Sequence, residues 1–569
     1  MNNANCALLP SFKEISLDIA SQFLQSVVVV DDLAYLHETE RIQPHDELAK
    51  PGFGHPKTVK KQVKDGDTTG PEKNKLDAKV LIDTFAEKGL VCSVLRPKEK
   101  EEYESKVLKA AERADIVVLD WQLQGSNLPD IDAAELIEKI ISNEKSLDRI
   151  RLIVVYSAEK PSKIRDKIEK TLNGIFEGSD DYTFIQNATR ICLFAKEDTI
   201  GADRSRIVNE KELPDRLISE FAEITMGLLS NATLASIAAL RKNTHRILGK
   251  FRPQLDAPYL SHRSLMKPSE EAESHIVPLI VSELQSVLED QQISEMLTTD
   301  YIAKWIDRHA SVHPKLQKRM HIKTPENAKL LLLDLIGKGI HKETMSSSFP
   351  SWSKFLSRLK EETNGNTLSE LTDILTVDGS SGQQLDREFA YFMSICSHYD
   401  NPAPLLSLGT IVSIEEDSKK QYYLCVQPVC DSVRISKKRY FPFLRMIKVS
   451  DSEASDFGFI VRENNEDMIE LRLSLRPHEV KMYEFKIKSN AKCIYAHKES
   501  NAWVFKTTKI IKTINGIETT VEDTKLLRWI GDLRPSHAQK VANDYAREIS
   551  RVGLTESEWL RRQAKTQKV

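Results

Sequence analysis

The stretch Val27-Val28-Val29-Val30-Asp31-Asp32 decides the reading of the fold. Four β-branched residues in a row predict a short strand buried on both faces, as in a parallel sheet covered by helices. Two carboxylates follow at once. Three later apolar runs repeat the arrangement: Ile116-Val117-Val118-Leu119 ends on Asp120, Leu152-Ile153-Val154-Val155-Tyr156 ends on Ser157, and Ile191-Cys192-Leu193-Phe194-Ala195 ends on Lys196. In an open α/β sheet the reactive groups gather at the carboxyl ends of the strands. Three carboxylates, a hydroxyl and an ammonium are thus expected at one sheet edge.

Such a cluster has a definite chemistry. Close carboxylates disfavour one another's ionisation. A hard divalent cation such as Mg²⁺ relieves the conflict, because it prefers carboxylates, carbonyls and retained waters. An Asp carboxylate can also attack phosphorus to give an aspartyl phosphate. Phosphoryl transfer then needs mainly positioning and charge neutralisation. A cation on Asp31 and Asp32, with the Lys196 ammonium, supplies the neutralisation, and Ser157 can donate to a phosphoryl oxygen.

The segments between these runs complete the pattern. Leu76 to Gly89 is predicted as an amphipathic helix, Val91 to Leu95 as a second strand, and Glu101 to Arg113, Ile131 to Ile141, Pro161 to Leu172 and Leu213 to Leu229 as further helices. That is a five-fold βα alternation. The order strand-Asp-Asp, strand-Asp, strand-Ser-Ala, strand-Lys resembles the receiver domain of bacterial two-component response regulators. The resemblance implies a flavodoxin-like fold, Asp120 as phosphoacceptor and a histidine kinase as phosphodonor. It also implies Mg²⁺ held by Asp31, Asp32, Asp120 and the backbone carbonyl of Gln122, with Ser157 as switch hydroxyl and Lys196 as the phosphoryl-binding lysine. The chain departs from that pattern in three places. The stretch Leu33 to Asn74 replaces a tight turn, and its Gly-, Pro-, Lys- and Thr-rich part, Pro51 to Lys75, is expected to be disordered. Lys196 is followed by Glu197 rather than proline. Leu193 stands where an aromatic residue usually precedes the lysine by three places, with Phe194 beside it.

The rest of the 569 residues carries less chemistry. Leu213 to Phe251 is predicted as nearly continuous helix, read either as a signalling connector or dimer seam, which makes a homodimer an expectation, or simply as the first helix of the next domain. Its basic end, with Arg241, Lys242, Arg246 and Lys250, is explained either by the helix dipole or as a weak nucleic-acid candidate. A net charge of -3 gives no global nucleic-acid footprint. Residues 270–400 are mostly helical in pattern, with the segment Ser347 to Ser351 as punctuation. From about 405 to 525 apolar residues alternate at period two, with Asn515-Gly516 as a hairpin signal. Cys425 and Cys430 are a weak metal signal beside a structural reading that includes an Asp431–Arg434 pair. The expected fold class is a multidomain α/β + α + β chain. A flavodoxin-like (βα)5 receiver spans 1–230 with an insertion at about 33–74, a helical middle 231–400, a β-rich domain 401–528 and a helical tail 529–569.

No signal peptide or transmembrane-length apolar stretch is found, and scattered cysteines suit a reducing cytoplasm, so a cytoplasmic protein without a membrane is expected. The overall layout also resembles the receiver-headed phosphate-buffer component of anti-phage defence systems such as Detocs, in which a kinase passes phosphate to an effector protein and to a separate receiver. The leading expectation is a response regulator in a phosphorelay, working as a phosphate sink or through protein contacts, with no enzymatic activity beyond slow autodephosphorylation. Two alternatives stand beside it: a phosphorylation-gated nucleic-acid binder, and an effector enzyme with its site in the C-terminal half.

Overall fold

A computed structural model describes residues 10–35, 76–97, 100–123, 131–142, 149–172, 177–186, 188–197, 199–266, 271–309, 324–339, 367–376, 379–399, 402–416, 419–433, 435–449, 458–463, 467–487, 492–500, 502–508, 510–514, 517–522 and 524–550. The predicted disorder of Pro51 to Lys75, the bulk of the 33–74 insertion, the Ser347 to Ser351 segment, Arg434 and the Asn515-Gly516 turn lie outside the described residues. The chain divides into two compact units, Met1–Arg308 and His309–Val569. The first unit includes helices that follow the receiver.

In the first unit, helix α1 (Phe12–Phe23) opens with a capping box: Ser11 Oγ accepts from Glu14 N while the Glu14 carboxylate accepts from Ser11 N. Then come β1 (Ser26–Val30), α2 (Ala78–Glu87), β2 (Val91–Leu95) and a helical stretch, α3, running through Lys100–Glu102, a π-helical turn Tyr103–Val107 and Leu108–Ala111. There follow β3 (Ile116–Leu119), α4 (Ala133–Ser142), β4 (Arg151–Ser157), α5 (Pro161–Thr171), β5 (Glu177–Asp180), β6 (Thr183–Gln186), β7 (Thr189–Ala195) and α6 (Leu213–Ile224). The sheet order is β2-β1-β3-β4-β7-β6-β5. Its first five strands are parallel, in the flavodoxin-like order, and β6 and β5 add an antiparallel hairpin at the edge. Both faces are covered. Val27 and Val29 join one core with Phe85, Phe194 and Phe221, while Val28 and Val30 join the other with Trp121, Ile137 and Ile164. This two-sided burial is why the strands read as unbroken apolar runs rather than alternating ones.

The long exit helix predicted from Leu213 to Phe251 is interrupted. Helix α6 stops at Thr225, Gly227 is extended (φ -134°, ψ 163°), and α7 (Leu228–Lys242) starts anew. Ser230 Oγ donates to the Thr225 carbonyl across the break. A second break at Asn243, whose side-chain amide donates to the Ala239 carbonyl, separates α8 (Thr244–Lys250). Polar side chains satisfying backbone groups at a helix end compete with its continuation, and an apolar-period count does not register them. Helix α7 folds back on α1: Leu234, Ala235 and Ala238 enter the same core as Ile19 and Phe23, and Asn231 Nδ2 donates to Ser16 Oγ at 2.8 Å. Helices α9 (Asp256–Leu265), α10 (Glu271–Asp290) and α11 (Thr299–Arg308) complete the unit.

The second unit begins with helices α12 (Pro325–Lys338), α13 (Thr367–Leu375) and α14 (Gly382–Ser394). It then forms a nine-stranded antiparallel sheet among the described residues from β8 (Thr410–Glu416), β9 (Lys419–Cys425), β10 (Lys438–Lys448), β11 (Gly458–Glu463), β12 (Asp467–Leu473), β13 (Lys481–Lys486), β14 (His497–Glu499), β15 (Ala502–Lys506) and β16 (Leu526–Asp532). The order is β11-β12-β10-β9-β8-β16-β15-β14, with β13 also on β10. Adjacent residues feed opposite faces: Tyr422 and Leu424 join one core, Tyr423 and Cys425 the other. Trp529, expected in a helical tail, lies on β16, and the tail helix runs Pro535–Ile549. Cys425 is wholly buried in the strand core while Cys430 is exposed, and Asp431 pairs with Arg439 at 3.1 Å. Cys425 is thus a core cysteine and Cys430 is not, and the ion pair of Asp431 is with Arg439.

Candidate functional site

Strand register builds the site. Val30 of β1 pairs with Leu119 of β3, and Leu119 with Val155 of β4. One residue beyond β1 and β3, Asp31 and Asp120 therefore emerge side by side, fixed by Asp120 N donating to the Val30 carbonyl at 2.9 Å. Ser157 pairs with Ala195 at the ends of β4 and β7, and Lys196 N donates to the Ser157 carbonyl at 2.9 Å. Asp31, Asp32, Asp120, Ser157 and Lys196 are all buried, each less than a tenth exposed.

The Lys196 ammonium bridges two acids. Its Nζ lies 2.8 Å from Asp31 Oδ2 and 2.9 Å from Asp120 Oδ2. The second oxygens are held by backbone: Asp31 Oδ1 accepts from Leu33 N at 2.8 Å, and Asp120 Oδ1 from Trp121 N at 2.6 Å. Asp32 Oδ1 is buried without a hydrogen-bond partner among the described residues. One carboxylate oxygen from each of Asp31, Asp32 and Asp120 lies within 4.8 Å of the others.

One ammonium cannot neutralise three carboxylates, and the protonation equilibria reflect it. Burial pushes the Asp32 carboxyl up to about 6, with the charges of Asp31 and Asp120 adding to it. Burial also raises Asp31, and the Lys196 charge offsets only part of that. For Lys196, burial alone would disfavour the ammonium, but the Asp120 and Asp31 carboxylates outweigh it and hold the group above its ordinary value. A net negative pocket whose candidate ligand atoms are carboxylate oxygens, one of them an unsatisfied buried acceptor, suits a hard cation. The orphaned Asp32 oxygen is the observation by which the residues fit a metal ion.

The remaining sequence-predicted residues fall as follows. Gln122 opens a two-residue ladder, Gln122–Leu123 with Ile131–Asp132, immediately beyond the acids. Ser157 Oγ accepts from Glu159 N at 3.4 Å at the same sheet edge. The Lys196 carbonyl accepts from Thr199 N at 3.0 Å, closing a turn that needs no proline. Leu193 faces one core, and Phe194 faces the other beneath the guanidinium groups of Arg206 and Arg216, 6.0 and 5.3 Å from its ring centre. Arg241 donates to the Phe23 carbonyl at 2.9 Å and lies 4.4 Å from that ring, at the end of α1. Lys250 is paired with Glu283, and Arg246 shares a small groove with Glu283 and Asp290, while Lys242 ends α7. The basic helix end is thus interleaved with acids.

Two neighbours of the site carry no sequence signal. Glu210, in the connection between β7 and α6, accepts from Asp77 N at 3.1 Å; burial raises its carboxyl, and the charges of Lys196 and Asp31 act on it. Tyr103 is buried at the start of the π-helical turn, a form of helix frequent at functional sites. Its hydroxyl is pushed up to about 12 by burial first and by Asp32 second.

No helix among the described residues is long and apolar enough to cross a membrane. Comparison of the chain with curated proteins and with solved structures gives no match. A family model described as a response receiver domain matches residues 23–201. The strand order, the acid cluster and the lysine all fall within that span, so residues 23–201 form an N-terminal response receiver domain.

Proposed function

We propose that the chain is a response regulator whose Asp120 accepts a phosphoryl group from a partner histidine kinase. One observation carries the reading: Lys196 joins Asp31 and Asp120 in a buried pocket with Asp32, where carboxylates outnumber the ammonium three to one. In the reaction a carboxylate oxygen of Asp120 attacks the phosphorus of a phosphohistidine. The P–O bond forms as the P–N bond breaks, and the imidazole nitrogen leaves with the electron pair.

Asp31, Asp32, Asp120 and the Gln122 carbonyl would hold Mg²⁺, which supplies charge neutralisation on the phosphoryl oxygens. Lys196 places its ammonium on the acceptor carboxylate, and Ser157 offers a hydroxyl donor from the adjacent strand end. Burial keeps bulk water from the carboxylate and strengthens each of these interactions. The wider role follows the chain's layout: a cytoplasmic phosphorelay component of the anti-phage kind, taking up phosphate as a sink or signalling to an effector through protein contacts.

Phosphoramidate, a small donor with the same P–N bond, tests the transfer. Mg²⁺-dependent gain of one phosphoryl group by the wild type, and none by Asp120→Ala, is expected. Equal gain by both proteins would overturn the assignment of Asp120.

A further inference from the structure

Helices α9 and α10 form a hairpin that cannot bury its own apolar residues. They are tied by Arg263 and Glu273 at 2.6 Å. No residue of α9 is buried, and none is buried between Ile276 and Asp290. The C-terminal half of α10 rests on α8, where Glu283 meets Lys250 and Val287 lines a groove with Ile247. In the N-terminal half Ala272 is buried, but the run that follows it is not. Its run Ile276-Val277-Pro278-Leu279-Ile280-Val281 is uncharged, and from Val277 onward every residue of it is exposed; Val277 is 66% exposed. On α9, Leu260 is 60% and Leu265 is 82% exposed.

A helix that is apolar all round belongs in an interior. Consecutive exposed apolar residues lower solubility unless something covers them. The run is far too short to span a bilayer. Leu260, Leu265, Val277, Leu279, Ile280 and Val281 together leave about 600 Å² of mostly apolar surface in water, near the roughly 800 Å² that each partner contributes to a standard interface. Between Glu273 and Glu283 there is no acidic, Lys or Arg residue that would select a charged partner.

From the area, the lack of charge and the hairpin shape we infer that the occupant is a second copy of this chain. Two hairpins pair about a two-fold axis into a four-helix arrangement, each covering the other's Val277–Val281 run. This dimer is independent of the phosphoacceptor reading and needs no phosphate.

Sedimentation of the full chain, wild type against Val277→Glu/Val281→Glu, tests it. The wild type is expected at twice 64.7 kDa at micromolar concentration, and the variant at 64.7 kDa, with self-association at least ~100-fold weaker and an unchanged circular dichroism spectrum. Hydrogen exchange of residues 276–282 in the wild type gives a second readout that does not depend on the variant folding: protection rises with concentration if the dimer forms there. A wild type that stays at one copy overturns the inference. So does a dimer that survives both substitutions, or protection at 276–282 that ignores concentration.

Discussion

Replacing Asp32 by Asn is expected to stabilise the metal-free protein, and the gain depends on pH in a calculable way. Asp32 is buried among like charges, one of its oxygens lacks a partner among the described residues, and its carboxyl is raised from 3.8 to about 6. About two pKa units correspond to roughly 3 kcal/mol of penalty carried by the folded state once the group is ionised. A raised carboxyl means that the folded state holds the proton more tightly than the unfolded chain. The penalty is therefore absent below pH 4, grows between about pH 4 and pH 6, and is fully present above pH 6.

In EDTA, Asp32→Asn should gain on the order of 2–3 kcal/mol at pH 7.5 and nothing measurable at pH 4. Mg²⁺ at a hundred times the wild-type dissociation constant should close the gap. The wild type gains about 2.7 kcal/mol at a hundred times its dissociation constant, and the variant, short of one ligand, gains much less. Because the chain has two units, urea unfolding is read by hydrogen exchange of peptides covering β1 and β3, which reports the receiver alone. A loss of stability at pH 7.5 in EDTA, or a gain independent of pH, would refute the picture of three crowded carboxylates.

Other expectations follow from single contacts. Lys196→Met removes the cation shared by two buried acids and should cost about 3 kcal/mol or more at pH 7.5 without metal, part of it restored by Mg²⁺; urea midpoints with and without the ion decide this. Gly409→Ala meets both a φ of +93° and a Cβ 2.9 Å from Ala538 Cβ, so the β-rich unit should lose about 2 kcal/mol or more while the receiver peptides keep their protection. Iodoacetamide at pH 8 should label exposed Cys430 well before Cys192, which is buried against Glu220 and whose thiol burial pushes up to about 12; peptide mass mapping over time would show the order.

How much of this was legible in the sequence differs between the two units, for physical reasons. In the receiver, two-sided burial turns the inner parallel strands β1, β3, β4 and β7 into apolar runs, and the functional side chain is the first polar residue at the end of each. Asp31, Asp120, Ser157 and Lys196 could therefore be placed at one sheet edge before any coordinates. The β5–β6 hairpin was missed because Glu177 to Gln186 is an edge element with little apolar content. Glu210 and Tyr103 reach the cluster from a connection and a π-helical turn, neither of which has a periodic signature.

In the second unit, β10 is the longest strand among the described residues. Pro442 stands in its middle, and proline ordinarily argues against an interior strand. The structure accommodates it where the strand changes partners: Lys438 to Phe443 pairs with β13, and Met446 to Lys448 with β12. The break between α6 and α7 was likewise hidden, since Leu217, Phe221, Leu234 and Ala238 keep a helical rhythm on both sides of Gly227.

The central claim is that Asp120, and not its acidic neighbours, takes the phosphoryl group. Borohydride reduction of the acetyl phosphate-treated protein converts an aspartyl phosphate to homoserine, and peptide mass spectrometry then finds its position. Homoserine is expected at position 120, and only with Mg²⁺ present. Homoserine at position 31 or 32, or none at any position under conditions where Mg²⁺ binds, would contradict it.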